Sequence, residues 1–468
     1  MRRIAVLLLS LSACARRGPP VAIAVEAAAP PPSASAVASA AAEAAEPAAD
    51  SASAPALARD AAPVPPRVYV RFRSVPVHAE SSLKGDWIGM LTAGDSVALR
   101  SDPPVSSRAC PSARAVEPRG WVCVDGEAAT LDATDAIYRA LRAHAPDYAS
   151  PLPYLYGESR GTRRQRAVPG IAGPPWPAGV FDPRAEVAPR STVAWTDDVE
   201  AAGKTWLRTS DMSFVPKDRV VPFDRATFHG VALGAEAKLP LAFFKRSPHT
   251  KYRRGPRNRL VSTDATWPRL AWVGLTGQSE KQGGLTFWET LEPGVWIDAR
   301  GAAVIAPQPV ADRPHGAWIE VAALQGWVVA WENDTAVYAT MVSAGKLGAA
   351  KPDPDHEPHQ AAATTPIGTF RIQEKLVTAT LQSDLDDGTD FVHADVPWSQ
   401  RFYDKYLLHT AYWHDEWGEG HSGGCVNLSP ADARWLFDWS EPHVPDGWHA
   451  VRAGSAKADQ GSVVVVHP

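Results

Sequence analysis

The chain has 468 residues, too many for one ordinary domain, and this length suggests two to four domains. Its formal net charge of −5, with no stretch dominated by a basic stripe, gives no case for nucleic-acid binding. The 43 prolines, 34 glycines and 18 tryptophans favour turn-rich β modules over helical bundles. We therefore expect a mainly β protein.

The N-terminus predicts export. Two arginines at positions 2 and 3 precede an apolar run, 4–11, which is far too short to span a bilayer as a helix. The string that ends at Cys14 (LSAC) resembles the lipobox of a lipoprotein signal, so we interpret 1–14 as a signal peptide whose Cys14 is acylated. An ordinary secretory signal, with Cys14 lost on cleavage, is the alternative, and both interpretations predict export.

Residues 15–66 are mostly Ala, Pro, Ser and Glu, without one aromatic side chain. Such a segment cannot bury enough apolar surface to offset the entropy cost of ordering, so we expect a disordered tether to the membrane. Ala15 does not resemble an inner-membrane retention signal. The expected location is therefore the cell envelope, with the lipid anchor in the outer membrane facing the periplasm.

The chain has four cysteines, and each can be assigned an expected role once possible disulfide pairs are counted. With Cys14 assigned to lipid, Cys110 and Cys123 flank a short insertion and could close a disulfide in an oxidising compartment. Cys425 then stands alone, and an unpaired cysteine in an exported protein is a candidate reactive thiol. The alternative for Cys425 is a buried, inert side chain.

Two segments precede the part of the chain that carries chemistry. Residues 67–135 show short strand patterns and Gly-rich turns and resemble a bacterial Src-homology-3-like module, which either binds wall peptides or acts as a spacer. Residues 136–312 begin with a helical pattern (DATDAIYRALRAHA) and continue as a β-rich region of unknown role. The arginines within 160–166 are more typical of a solvated loop than of an anion site.

Residues 313–468 predict a mainly β domain with one well-marked helix. Ser429 has the position of an N-cap, Pro430 that of N1 and Asp432 that of N3 in a capping box. Trp435 and Trp439 are spaced i, i+4 and therefore share one face of this helix.

Cys425 lies in a Gly-rich turn, HSGGCVN, directly before this helix. Gly423 and Gly424 allow a ligand to approach the backbone closely and could direct N–H groups at one point, as an oxyanion hole requires. A cysteine attacks a carbonyl as thiolate and needs a base within hydrogen-bond reach. His409 and His421 are the nearest histidines that could serve.

The longer segment LHTAYWHDEWGEGHSGGCVNLSPADARWLFDW closely resembles the active-site segment of the L,D-transpeptidase (YkuD-type) family. TTPIGTFRI and VYATMVSAGK are similar to two of its strands. The resemblance covers about 317–468. It implies a β-rich catalytic domain with one or two helices. From the separate strand and turn pattern of 67–135, we expect small β-barrel-like modules before this domain.

The resemblance also implies roles. Cys425 would be the nucleophile and His409 its base, oriented by the carbonyl of Thr410. The amides of Gly424 and Cys425 would hold the oxyanion, with Ser422 shaping the loop. The implied substrates are peptidoglycan stem peptides: the terminal D-Ala leaves, a thioester forms, and an amine of another stem accepts the acyl group in a 3→3 cross-link. No cofactor is implied, and carbapenems are expected covalent inhibitors.

One departure from the family pattern concerns the turn itself, because Gly423 stands where the family has a histidine. His421, two residues earlier, could take over that part, and His414 and Tyr412 are further auxiliary candidates near the pocket. In the alternative, His421 is a plain surface residue and the enzyme is slow or inactive.

Three other functions stay open. A zinc hydrolase would use His409, His414, His421 and Cys425, but their spacing does not match the i, i+4 arrangement on one helical face, so we expect no metal. An L,D-carboxypeptidase would act on the same stem peptides with water as acceptor. A non-catalytic wall-binding lipoprotein is the third, although Cys425 and His409 are both present.

We expect Cys14→Ala to release the full-length protein from membranes, because acylation of that thiol is the predicted anchor. Fractionation of cells that express wild type and variant would measure this. If the variant stays in the membrane fraction as wild type does, the lipobox interpretation is wrong.

Overall fold

The computed structural model describes residues 65–246, 248–306, 313–352, 363–382, 391–454 and 460–468. Cys14 and nearly all of the predicted tether lie outside these residues. Within the described ranges, we find no helix with the length and apolar character needed to cross a bilayer. About 45% of the structure is strand and 7% helix, which confirms the mainly β fold class.

The strands of the first described segment, 65–135, are β1 (Arg67–Val70), β2 (Val75–His78), β3 (Trp87–Leu91), β4 (Ser96–Ala98), β5 (Ala113–Ala115), β6 (Trp121–Cys123) and β7 (Ala129–Thr130). The next segment, up to residue 306, contains helix α1 (Ala136–Ala143), the 3-10 turns Ala178–Val180, Lys217–Arg219 and Pro256–Asn258, and strands β8 (Leu155–Ser159), β9 (Thr162–Arg163), β10 (Glu186–Val187), β11 (Thr192–Ala201), β12 (Lys204–Thr209), β13 (Phe214–Pro216), β14 (Val220–Pro222), β15 (Val231–Ala232), β16 (Leu241–Phe244), β17 (His249–Arg254), β18 (Leu260–Trp267), β19 (Trp272–Gln282), β20 (Leu285–Thr290), β21 (Trp296–Asp298) and β22 (Ala302–Ile305).

The last segment, from residue 313 onward, contains β23 (Ala317–Ala322), β24 (Trp327–Glu332), β25 (Thr335–Met341), β26 (Ala349–Ala350), β27 (Thr365–Pro366), β28 (Gly368–Arg371), β29 (Glu374–Gln382), β30 (Val392–Tyr403), β31 (Tyr406–Thr410), β32 (Val426–Leu428), helix α2 (Pro430–Trp439), β33 (Ala450–Arg452) and β34 (Val463–His467).

Two sheets enclose the core next to Cys425. One has the order β32-β31-β30-β29-β33-β3-β2-β6-β5, and the other has the order β15-β25-β24-β23-β34-β28. Apolar side chains from both sheets and from α2, among them Ile319, Leu408, Val426 and Leu436, form one buried cluster. Because burial of apolar surface is the main favourable term in folding, this cluster fixes α2 and β32 against the sheets.

The first of these sheets joins the N-terminal module to the C-terminal part of the chain. Gly89 and Met90 of β3 pair with Val451 and Ala450 of β33. A side chain at Gly89 would lie 2.0 Å from the ring of Trp448, so only glycine lets that indole pack here. Sheets built from the described strands do not close into a barrel, and the Src-homology-3-like interpretation stays a prediction.

Cys110 and Cys123 are joined in this module at an S–S distance of 2.11 Å. The loop that they close spans 13 positions and contains β5. Constraining a loop of this length stabilises the fold by roughly 3 kcal/mol in the chain-entropy model.

Helix α2 begins as the sequence predicts. Ser429 is its N-cap and accepts a hydrogen bond from the amide of Asp432, which confirms the capping prediction. The buried Asp432 carboxylate accepts further bonds from the hydroxyls of Tyr338 and Thr340, at 2.7 and 2.5 Å. At the other end of α2, buried Lys375 donates to the carbonyls of Phe437 and Ser440. Carbonyls at the end of a helix have no hydrogen-bond partner within the helix, and Lys375 supplies one.

The described part of the region of unknown role forms two larger sheets, with orders β13-β12-β11-β8-β14 and β18-β17-β21-β20-β19-β16-β22, in addition to the two-stranded sheet β10-β9. Its predicted opening helix is present as α1. Both sheets contact the C-terminal part of the chain: Tyr156 of β8 stacks on Tyr412 at 3.9 Å, and Phe243 of β16 lies in one buried cluster with Trp417. This region therefore borders the loop that precedes Cys425.

Candidate active site

The site is built on a parallel pairing of β31 with β32. Leu408 pairs with Val426 and His409 with Asn427. Leu408 and Val426 both point into the core, so the alternation of side chains places His409 and Asn427 on the opposite face. Cys425 precedes β32, and extending the alternation by one residue places it on that same face. The two residues expected to act together are thus neighbours on one face of a sheet.

Cys425 is partly buried and makes no disulfide. Its Sγ lies 3.9 Å from the carbonyl oxygen of Lys405, within range of a weak thiol hydrogen bond. Burial raises the pKa of this thiol to about 11, against smaller lowering effects of the Leu407 amide and the Lys405 charge. At pH 7 the thiolate fraction is therefore on the order of one in ten thousand, and attack on a carbonyl requires a base.

His409 is buried, with 3% of its surface exposed. Its Nδ1 lies 2.8 Å from the carbonyl oxygen of Thr410, which can only accept, so Nδ1 carries the proton and Nε2 holds a free lone pair. Burial lowers the pKa of His409 to about 4, although its bond to Thr410 acts in the opposite direction. The imidazole is consequently neutral at pH 7 and available as a base.

The turn before the thiol is fixed by Ser422. Its hydroxyl donates to the carbonyl of Cys425 at 2.5 Å and accepts from the amide of Gly424 at 3.0 Å. The Gly424 amide is therefore engaged within the turn, and use of that N–H for an oxyanion requires this bond to open. The amide of Cys425 is the other donor expected from the sequence.

The two glycines of the turn differ in what the backbone demands. Gly424 has φ +127°, and a side chain there would meet Tyr406 Cε1 at 2.6 Å and the Thr364 carbonyl at 2.7 Å. Gly423 has φ outside the left-handed region, and a side chain there would meet nothing within 4 Å. Glycine is thus required at 424 but not at 423, the position where the family has histidine.

Asn427 connects two further histidines, His414 and His421, to the site. It lies in the segment that resembles the family motif, but the sequence analysis assigned it no role. Asn427 Nδ2 donates to His414 Nε2 at 3.0 Å. His421 is exposed, and its ring lies 4.4 Å from the ring of His414. Burial, reinforced by the neighbouring histidines, lowers the pKa of His414 to about 3, so His414 is neutral at pH 7. His421 therefore reaches the site through His414 and Asn427.

One residue near the site, His393, was not identified from the sequence. His393 of β30 stacks on Trp413 at 3.8 Å, and Trp413 lies 5.9 Å from His409. Burial, reinforced by the neighbouring His409, lowers the pKa of His393 to about 3. No local motif marks His393, because its place follows from the pairing of distant strands.

The hydroxyl of Tyr412, an auxiliary candidate from the sequence, is hydrogen-bonded to residues of β11 and β30. Its hydroxyl lies 2.7 Å from the Thr192 hydroxyl and donates to the Ala394 carbonyl at 2.7 Å. Tyr412 therefore joins the catalytic segment to the region of unknown role. Among the described residues, no group of three or more His, Cys, Asp or Glu side chains is arranged to hold a metal ion.

Comparison with known proteins agrees with the resemblance. Residues 316–466 match the YkuD family model, the L,D-transpeptidase catalytic domain. The chain thus contains an L,D-transpeptidase catalytic domain, which occupies about its last third. No curated protein matches the chain.

Several solved L,D-transpeptidases are similar in structure. A Cys-to-Ser mutant from Enterococcus faecium is 21% identical over 35% of this chain and 55% of that chain, with a TM-score of 0.23. The catalytic domain from E. faecium acylated by ertapenem is 21% identical over 33% of this chain and 98% of that chain, with a TM-score of 0.23. The enzyme from Mycobacterium smegmatis is 18% identical over 47% of this chain and 78% of that chain, with a TM-score of 0.23.

The pKa values of the pair predict how acylation of Cys425 depends on pH. His409 stays neutral well above its pKa of about 4, so with His409 as base the acylation rate is expected to be flat from about pH 6 to 9. His409→Ala leaves only the thiolate to react, and below the thiol pKa of about 11 its rate should rise about tenfold per pH unit. Rates of carbapenem acylation followed by mass spectrometry measure both profiles.

His443→Ala is the matched control, since this histidine is exposed and pairs with Glu441 away from the thiol. It should keep the flat profile. A wild-type rate that rises tenfold per pH unit, as in the variant, would contradict the role of His409 as base.

Gly423→His tests the departure from the family. We expect the variant to fold with an unfolding free energy within about 0.5 kcal/mol of wild type, because the position is open. Gly424→Ala, its matched comparison, should cost about 1–3 kcal/mol. Urea denaturation measures both.

Activity separates the two interpretations of His421. If His421 replaces the missing histidine, His421→Ala lowers the acylation rate strongly and Gly423→His partly restores it. A silent His421→Ala, together with a faster Gly423→His single variant, would reject the replacement.

Proposed function

We propose that this protein is a peptidoglycan L,D-transpeptidase that forms 3→3 cross-links, or attaches proteins to stem peptides, through a thioester on Cys425. The observation that carries the proposal is the parallel register of β31 and β32, which supports a neighbouring position of Cys425 and His409 on one face. That face lies within residues 316–466, the part that matches the L,D-transpeptidase catalytic domain.

The first half-reaction follows from the protonation states of the pair. A resting thiolate–imidazolium pair is disfavoured, because burial raises the pKa of Cys425 and lowers that of His409. His409 Nε2 therefore takes the thiol proton as sulfur bonds to the carbonyl carbon of the third stem residue. The tetrahedral oxyanion is stabilised by the Cys425 amide, and by the Gly424 amide once its bond to Ser422 opens. The C–N bond to D-Ala breaks as imidazolium returns its proton to the leaving amine.

The second half-reaction resolves the thioester. A side-chain amine of another stem loses a proton to His409 as its nitrogen bonds to the thioester carbonyl carbon. The C–S bond then breaks, and imidazolium returns the proton to sulfur to give Cys425–SH. Water in place of that amine would give an L,D-carboxypeptidase with the same residues. The acceptor alone separates the two activities.

We also propose that the enzyme acts in the cell envelope, anchored by lipid at Cys14. The support is the sequence of the first 14 residues and the substrate class, since peptidoglycan lies outside the cytoplasm. The wild-type and Cys14→Ala fractionation described above tests this location.

The test of function is incubation of the full-length protein with stem tetrapeptides and with a carbapenem, followed by mass spectrometry. We expect loss of D-Ala, cross-linked dimers, and one covalent adduct on Cys425. Cys425→Ala should abolish all three, and His409→Ala should slow acylation by about 10²- to 10⁴-fold at pH 7. Cys425→Ser is the matched control, since it preserves shape with a weaker nucleophile.

Other outcomes decide between the alternatives. Tripeptides without dimers, when an acceptor stem is present, would indicate the carboxypeptidase. Wild-type protein that neither changes a muropeptide nor reacts with a carbapenem would overturn the catalytic proposal and favour the wall-binding lipoprotein.

A further inference from the structure

The segment between His414 and His421 connects β31 to the turn of Cys425, and we call residues 414–421 the histidine loop. Its first residue contacts Asn427 and its last contacts His414, so the loop sets where both rings lie relative to the thiol. Because it belongs to neither a helix nor a strand, its position depends on the contacts around it.

On one side, the histidine loop is held by the chain after β25. The Gly418 amide donates to the Val342 carbonyl at 3.0 Å, and the His421 amide donates to the Ala344 carbonyl at 2.9 Å. The Ser343 hydroxyl donates to the Glu416 carbonyl at 2.6 Å. These bonds lie within the catalytic domain.

On the other side, the loop meets two arginines from connections of the sheet that contains β16–β22. Arg246 follows β16, and Arg269 lies between β18 and β19. Arg246 donates through Nε and Nη2 to both carboxylate oxygens of Glu419, at 3.0 and 3.1 Å. Arg269 donates to the Asp415 carboxylate at 2.8 Å and to its main-chain carbonyl at 2.5 Å. Two-pronged contacts of this kind fix orientation as well as distance.

Between these two ion pairs, side chains of the β16 segment pack against the loop. Trp417 is fully buried in a cluster with Phe243 of β16. A side chain at Gly418 would lie 2.8 Å from Lys245 Cγ, so the stem of Lys245 covers the loop there. The two carboxylates of Asp415 and Glu419 thus flank the point at which the sheet touches the loop.

The exposure of the two arginines argues against a role in global stability. The side chain of Arg246 is 73% exposed and that of Arg269 is 32% exposed. Ion pairs at such positions contribute about 0–1 kcal/mol to folding. They can still restrict a loop without regular structure, since small errors in the position of catalytic groups cost large factors in rate.

We propose that Arg246 and Arg269 are positioning residues that fix the histidine loop, and with it His414 and His421, beside Cys425. This assigns a role to the β16–β22 sheet, which carries none of the reacting groups. The inference rests on the proposed function, because the groups being positioned are those of the transpeptidase site.

The experiment compares wild type with Arg246→Ala/Arg269→Ala in the full-length protein. We expect the rate of carbapenem acylation to fall by about tenfold. This is less than the roughly 100-fold loss of rate that a displacement of catalytic groups by about 1 Å can cause. Hydrogen exchange of peptides that span 414–421 should become faster, while the urea midpoint stays unchanged. Raising the salt concentration from about 0.05 to 1 M should slow wild type more than the double variant, because exposed ion pairs are screened.

Arg254→Ala is the matched control, since Arg254 pairs with Glu280 on the same sheet at 2.8 Å and does not touch the loop. It should leave the acylation rate, the loop exchange and the salt response as in wild type. The exchanged pair Arg246→Glu/Glu419→Arg should recover most of the rate that Arg246→Glu alone loses.

The outcomes separate the two proposals. If wild type reacts with the carbapenem and the double variant matches it in rate and in loop exchange, the positioning role is rejected while the proposed function stands. If wild type does not react with the carbapenem, the proposed function fails. In that case the positioning role is still tested by hydrogen exchange, and it is rejected if residues 414–421 exchange at the same rate in the double variant and in wild type.

Discussion

The parallel pairing of β31 with β32 is the constraint on which the site depends. Two parallel strands cannot be joined by a tight turn. The chain leaves β31 at Thr410 and must therefore cross back toward the end of the sheet where β31 starts before it enters β32. Most such connections are helices packed on the sheet. Here the return path is the loop that carries His414 and His421, and it delivers Cys425 to the face that already holds His409. One pairing therefore brings together Cys425, His409 and the neighbouring histidines, the residues on which the proposed mechanism relies.

Burial then sets the chemistry of this face. Desolvation disfavours the charged forms of both His409 and Cys425, so the low pKa of the imidazole and the high pKa of the thiol have one cause. At neutral pH without substrate, Cys425 is therefore a neutral thiol and His409 a neutral imidazole. A neutral thiol resists oxidation and adventitious alkylation better than a resting thiolate, since the thiolate is the reactive species. In the proposed mechanism, proton transfer from the thiol to His409 therefore occurs only when a substrate carbonyl is present to bond to the sulfur.

Local signals in the sequence predicted the parts of the structure that local forces determine. The N-cap at Ser429, helix α1 and the mainly β class follow from capping, hydrophobic period and composition, and the site segment followed from a family resemblance. The pairing of Gly89 with Val451 and the stacking of His393 on Trp413 could not be predicted in this way. Each joins residues that are far apart or lack a motif, and only the assembled sheets bring them together.

The glycines near the thiol show which departures the fold itself demands. Gly418 and Gly424 have positive φ, and each faces atoms that leave no room for a side chain, so the backbone requires glycine at both. Gly423 meets neither condition. Its difference from the family histidine is therefore a change in the chemistry of the pocket and not in its framework. Asn427 and His414 connect the exposed His421 to the same face, and this contact supports the proposal that His421 replaces the family histidine from another position in the chain.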